Sequence, residues 1–337
     1  KIVAFYNPAE GHPFMMVTFG GMAGALSGMN NQGLTVTINA AKSGIPSASA
    51  MPVSLVAREI LQYASTIEEA YTLARQRKMF VSESFLIGSA RDGKAAIIEK
   101  TPQETELVDA ANDLVVCTNH FQGKKLGGEP LNLEHIHTSA SWYRWQRLKE
   151  LLNGAGKISV GKSAKILRDQ LGLGGKAIGL GNEKSINQLV AHHAIIFQPV
   201  QQKVWISTAP WQLGKFVCYD LHKIFGMKMT RDREIYDSTS SIQPDTFLVT
   251  KQFRDFQKFS PYRFPFQPGG DVQPDSLVKW NPGSYLSYLL AGDACFRKKD
   301  FAAAQNFYKT GLTKEIATLQ ERDYMLARLN ECKKELP

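Results

Sequence analysis

Residues 14 to 41 read FMMVTFGGMAGALSGMNNQGLTVTINAA, apolar runs broken by glycines, and no other stretch constrains the fold as much. Asn30-Asn31-Gln32-Gly33 is a turn signal between two strands, because Asn and Gly accept positive φ at little cost. Thr35, Val36, Thr37 and Ile38 are β-branched and suit the second strand. Pro46 and Pro52 punctuate a loop. Ser54 then caps a helix running to about Ala64, with Val56, Ile60 and Tyr63 on one face. Thr66-Ile67-Glu68-Glu69 has capping-box spacing and opens a second helix. A hairpin follows, SESFLIGSA and AAIIEK around Arg91-Asp92-Gly93-Lys94, and then a strand LVVCTN ending at Asn119. Residues 138 to 152 form a helix with Trp142, Trp145, Leu148 and Leu152 on one face. Another helix lies near 162 to 171, and a hairpin spans 188 to 198 and 203 to 209. Strands, two helices, strands, two helices, strands: that order gives a layered α+β domain, not a chain of βαβ units.

The character changes after about residue 225. Residues 1 to 228 form the layered domain. Residues 229 to 282, rich in Asp, Ser, Pro and aromatics, are expected to be an extended, surface-wrapping connection. From residue 283 to 337 the chain is helical. Tyr288, Ala291, Gly292, Cys295, Phe301, Ala304 and Tyr308 follow the spacing of one tetratricopeptide repeat, with small residues where helices cross. One copy makes a helical hairpin plus a final helix over 313 to 334, not an array.

The chain carries a net charge of +9, which raises nucleic acid as a partner. Its basic residues are scattered, and no nucleic-acid-binding motif accompanies them, so the bland solvated surface is preferred. Cys117, Cys218, Cys295 and Cys332 are far apart and form no CxxC pair, which argues against zinc or a redox dithiol. There is no GxSxG elbow, no HExxH, and no GxGxxG after a strand. The glycines from 172 to 181 lack a P-loop ending. No metal and no cofactor is called for. His192-His193, inside an expected strand, would point to opposite faces, one ring in core or pocket and one exposed. In Val116-Cys117-Thr118-Asn119-His120-Phe121, alternation puts Cys117 and Asn119 on one face and Thr118 and His120 on the other. An Asn ending a strand can donate amide N–H groups to an oxyanion; equally, it can close a turn.

A series of segments in fixed order shifts that balance: SGMNNQGLTVTINAA, LVAREILQYASTIEEA, FLIGSARDGKAAIIEKTP and VVCTNHF. The series resembles the acyl-coenzyme A:isopenicillin N acyltransferase family. More distantly it is similar to bile-salt hydrolases, penicillin V acylases and acid-ceramidase-like lipid amidases. The resemblance covers roughly residues 1 to 220, and GMN-x-x-GL and TNHF are its strongest elements. It implies an αββα sandwich of N-terminal-nucleophile (Ntn) hydrolase type and cleavage of linear amides. The family's nucleophile is an N-terminal Cys freed by autoproteolytic processing, with its own α-amine as base. Asn119 matches the family's oxyanion-hole asparagine, and Asn39 falls near a second oxyanion position. His120, Phe19 and Met16 are the substrate-contacting candidates, while Asn30 shapes its turn.

The family's Cys, and the Asp and Arg that follow it, precede the GMN segment, and no Cys lies between Lys1 and Gly28. The nucleophile is therefore expected upstream of Lys1, in a strand pairing beside residues 113 to 119. The expected ligand is a small-molecule N-acyl amide: a fatty-acyl amide, an N-acyl amino acid or a bile-salt-like conjugate. A cleaved N-terminal chain of the same precursor is a second expected partner, and a homo-oligomer is compatible with the sequence. Two alternatives stay open, an acyltransferase of the same family and a non-catalytic scaffold or binding relative.

Overall fold

A computed structural model describes residues 1–44, 50–154, 156–226, 234–263 and 272–336; Pro46 lies outside them. Two compact units emerge. The first comprises residues 1–137, 193–207 and 216–242, and the second residues 138–192, 208–215 and 243–337.

The first unit is built on a seven-stranded antiparallel meander: β1 (Ile2–Tyr6), β2 (Phe14–Thr18), β3 (Ser27–Asn30), β4 (Leu34–Ala40), β5 (Glu83–Ser89), β6 (Lys94–Lys100) and β7 (Thr105–Asp109). The GMN turn joins β3 to β4 as its residues dictate. Gly33 takes φ +74°. The Oδ1 of Asn30 accepts from the N–H groups of Gln32 and Leu34, both at 3.0 Å. Its Nδ2 donates to the carbonyls of Leu61 and Ala64 at 2.9 and 2.7 Å, so every bond of this buried side chain is structural.

Between β4 and β5 come α1 (Val53–Tyr63) and α2 (Ile67–Gln76). Helix α1 begins two residues earlier than expected. Pro52 is its N-cap, and Ser54 sits buried inside the first turn without capping it. Thr66 does cap α2, accepting from the Glu69 N–H, but the Glu69 carboxylate reaches back to Ser65 N–H rather than to Thr66. Both helices lie on one face of the meander, against Leu34, Val36, Phe85, Ile87, Ala96 and Ile98.

The other face meets a second antiparallel sheet, in order β11-β10-β9-β8. Its strands are β8 (Ile195–Gln198), β9 (Lys203–Ser207), β10 (Phe216–Asp220) and β11 (Asp237–Ile242). Met15, Val17 and Met29 of the first sheet share a core with Val204 and Ile206 of the second, joined by Leu221 and Ile224 of α6 (Leu221–Phe225). Strand β2 is thus buried on both faces, which explains why FMMVT is uniformly apolar instead of alternating. Helix, sheet and sheet stack as layers in the mixed α and β arrangement the sequence implied.

Two expected strands are not strands. Residues 188–194 precede β8 as irregular chain, so the His192-His193 pair lies outside the sheet. LVVCTN is irregular too: Asn112 and Asp113 adopt φ of +52° and +59°, Ala111 bridges Leu114, and the chain leaves the sheet.

The second unit is helical, with α4 (Ser141–Leu152) and α5 (Val160–Leu167) following α3 (Pro130–Thr138), which ends at the boundary between units. The buried side of α4 carries Ser141 and Arg147, while Trp142 stays 39% exposed, stacked on Trp145 at 4.7 Å. Arg147 is tolerated inside because Asp169 accepts from its Nε and Nη2 at 2.9 and 3.0 Å. The expected extended connection over 229–282 instead holds β11, α7 (Lys251–Phe259) and α8 (Pro274–Trp280). Its aromatics explain the difference: Phe253, Phe256 and Phe259 recur every three residues and bury one face of α7. The tail forms α9 (Tyr285–Arg297), α10 (Phe301–Gly311) and α11 (Leu319–Lys334), the hairpin and final helix read from the repeat spacing. Among the described residues no helix is long and apolar enough to cross a membrane.

Candidate active site

One cross-strand row of the meander is wholly polar. Asn39 lies opposite Ser84, Ser84 opposite Glu99, and Glu99 opposite Glu106. The preceding row, Ile38, Phe85, Ile98 and Leu107, packs under the helices. Alternation therefore turns Asn39, Ser84, Glu99 and Glu106 to the opposite face.

Residues 116 to 127 are laid across that face as a loop, and its backbone is satisfied by these carboxylates. Glu99 accepts from the N–H groups of Gln122 and Gly123 at 2.6 and 3.0 Å. Glu106 accepts from those of Lys125 and Leu126 at 3.1 and 3.0 Å. A Cβ at Gly123 would run into the Glu106 carboxylate and displace it from the loop. Fully buried Asn132 of α3 ties the loop from beneath. Its Oδ1 accepts from Phe121 N–H at 2.8 Å, and its Nδ2 donates to the Phe121 and Gly127 carbonyls. The Gln122 side chain closes the loop on the Val116 carbonyl at 2.7 Å.

This loop delivers Asn119 to the end of β4. Its Nδ2 donates to the carbonyl of Ala40 at 3.0 Å, the residue after Asn39 in the strand. Both side chains are half-buried, reachable yet constrained. A second polar contact lies on the same face of the sheet. Ser27 pairs with Thr37, two residues from Asn39, and its hydroxyl is 3.0 Å from His193 Nε2. His193 is half-buried and His192 exposed, the division expected for that pair.

The family profile described as acyl-coenzyme A:6-aminopenicillanic acid acyl-transferase matches residues 2–209, well over half of the chain. The chain belongs to this family. It is also 24% identical over 184 residues to an uncharacterized protein of Archaeoglobus fulgidus, an overlap of 48% of this chain and 30% of the relative's length. The chain thus spans under a third of that relative. Among solved structures, it is similar to a Caenorhabditis elegans ortholog of N-acylethanolamine-hydrolyzing acid amidase. That similarity has 20% identity and a TM-score of 0.35, over 49% of this chain and 72% of the other. For a mutant of the conjugated bile acid hydrolase from Clostridium perfringens the figures are 13% and 0.34, over 69% and 77%. For penicillin V acylase from Agrobacterium tumefaciens they are 14% and 0.31, over 62% and 66%. At such scores the family assignment rests on the sequence match alone.

In this member of the acyl-transferase family, the cysteine near the two asparagines is Cys117. Its thiol is pushed up to about 12, first by burial and then by the neighbouring Glu99 carboxylate, with the Ser84 hydroxyl pulling the other way and Glu83 adding the smallest push upward. The thiol is therefore held protonated at neutral pH. Burial also raises Glu83 and Glu99 to about 7; for Glu99 the two N–H donors of the loop oppose the rise. Cys218, Cys295 and Cys332 are buried in the smaller sheet and the helical tail.

The other site candidates separate. His120 is 1% exposed and bonded through Nδ1 to Thr118 Oγ1 at 3.1 Å, which makes it an anchor of the loop interior rather than a lining residue. Phe19 is half-buried just past β2. Met16 has no exposed surface and sits in the core under α1, on the helical side of the sheet, so it belongs to packing. Glu99, Glu106 and Asn132 escaped the sequence reading. The one signal was Glu99 itself, a carboxylate in the otherwise buried run AAIIEK.

Proposed function

We propose that this chain belongs to an amidohydrolase that cleaves N-acyl compounds by way of a thiol nucleophile. The observation that carries the reading is the bond from Asn119 to the end of β4, next to Asn39, made from a loop whose backbone is bound to a buried carboxylate. In the proposed reaction the thiol attacks the acyl carbonyl, and its own α-amine takes the proton. Charge develops on the carbonyl oxygen, where neutral carboxamide donors stabilise it without reorganising. The bond to Ala40 fixes the plane of the Asn119 carboxamide. Collapse expels the amine, which carries the proton away, and water resolves the acyl-enzyme. Cys117, with its thiol held protonated, is unsuited to the nucleophile's role.

The full-length gene product, challenged with N-acyl glycines, taurine conjugates and penicillin V, is expected to hydrolyse at least one class. Failure to turn over any of them would sink the hydrolase reading. The family's description favours a second reading, in which an amine replaces water. Product analysis with a competing amine acceptor separates the two, since hydrolysis yields only free acid.

A further inference from the structure

A cavity of about 690 Å³ opens in the second unit, between the stretch 169–180 and helices α7 and α8. Every residue lining it belongs to that unit, so it is separate from the asparagine pair on the sheets. The volume falls inside the roughly 300–1,000 Å³ range of small-molecule sites.

Its chemistry is two-sided. Leu171, Phe247, Trp280 and Ile178 give it apolar walls, and Leu171 is left 40% exposed at the opening. Its carboxylates are already engaged. Asp169 is held bidentately by Arg147, Asp255 by Lys251 and Lys258, and Asp245 accepts from Phe247 N–H near Arg168. Arg168 is itself committed to the carbonyls of Gly214 and Gln243 at 2.7 and 2.9 Å. Lys165 and Lys279 are exposed on the lining and, among the described residues, make no ion pair. An apolar hollow with two uncompensated ammonium groups favours a ligand with a greasy body and one negative head.

We propose that this cavity binds a small amphipathic organic anion, an alkyl or aromatic body carrying a single carboxylate or sulfonate. The Trp280 indole, stacked on Tyr262 at 6.1 Å, forms part of the wall, and the two lysines hold the head. Because exposed lysines supply the charge, affinity falls as salt is raised.

Calorimetric titration of the whole chain with dodecanoate tests this, using dodecanol as the uncharged control. Saturable dodecanoate binding is expected, at least tenfold tighter than dodecanol, and weakened about tenfold by Lys165→Glu with Lys279→Glu. Gln252→Trp, at an exposed lining position, narrows the cavity and is expected to weaken binding without loss of fold. Absence of saturable binding overturns the proposal, as does equal affinity for dodecanol. Dodecanoate binding untouched by both the lysine pair and the cavity-narrowing variant would locate the ligand elsewhere and overturn it too.

Discussion

The loop over residues 116–127 and the helical tail α9 to α11 are both ordered, by opposite means. The loop lies across the sheet with its N–H groups given to Glu99 and Glu106 and to the amide of Asn132. The tail is held by apolar contact. Ala304, Met325 and Cys332 have no exposed surface, and Tyr308 lies across Gly292. A buried carboxylate binding backbone N–H groups fixes a loop to within hydrogen-bond geometry but costs desolvation. Apolar packing costs little but fixes only shape. Hydrogen-bond donors held in place need the first kind of order and packed helices only the second, so the two regions should fail differently when perturbed.

The largest effect is expected in the tail. Ala304→Glu would put an unpaired charge among Tyr285, Tyr308 and Met325, costing about 4 kcal/mol. Denaturant melts of the chain would register it, and a shift below about 1 kcal/mol would mean the crossing is looser than described. Next comes Asn119→Ala in the full-length enzyme. Loss of an oxyanion donor should slow acylation by about 10² to 10³, or about 2.7–4 kcal/mol, with the melting temperature almost unmoved. Parallel losses of activity and stability would instead make Asn119 a turn-closing residue.

Glu83 sharpens the contrast through pH. Its carboxyl lies opposite Ala40, is 6% exposed, and is raised by burial to about 7 against an ordinary value of 4.5. A raised carboxyl favours the protonated native state, so its contribution is complete below about pH 4 and is lost as pH climbs through 7. Glu83→Gln should remove that slope. The variant would then gain on the wild type by an amount of order 3 kcal/mol between about pH 4.5 and 8. Identical pH–stability curves for the two would show that the carboxyl is well solvated. The smallest effect is Gly292→Ala, whose Cβ would approach the Tyr308 ring to 2.6 Å. A cost of about 1–3 kcal/mol is expected from overpacking, read as a melting shift with activity per folded molecule unchanged.

Local patterns carried much of this fold. The Asn30–Gly33 turn, the Thr66 cap, the hairpin at Asp92-Gly93 and the small-residue crossings of the tail each follow from preferences expressed within a few residues. They were legible because backbone sterics and capping bonds act over that range. Residues 116–119 misled, since an apolar β-branched run looks like a strand wherever it sits. So did α4, whose tryptophan stripe outweighed Arg147 in the sequence although Asp169, 22 residues on, buries the arginine instead. The aromatics of α7 were legible in their spacing but were obscured by the surrounding prolines and serines.

By itself the sequence determined most elements of the first 110 residues, the family, and the two asparagines as site candidates. Only the tertiary structure decided what those asparagines rest on and which neighbours share their surface. Glu99 meets Gln122 across 23 residues, and Ser27 meets His193 across 166. Met16, read as a substrate contact, and Met15 face opposite layers because both sides of β2 are covered. Such pairings are set by which strands become neighbours and which face each layer covers. That is a property of the whole packed chain, because a buried N–H or carboxylate takes whatever partner the packing brings within reach.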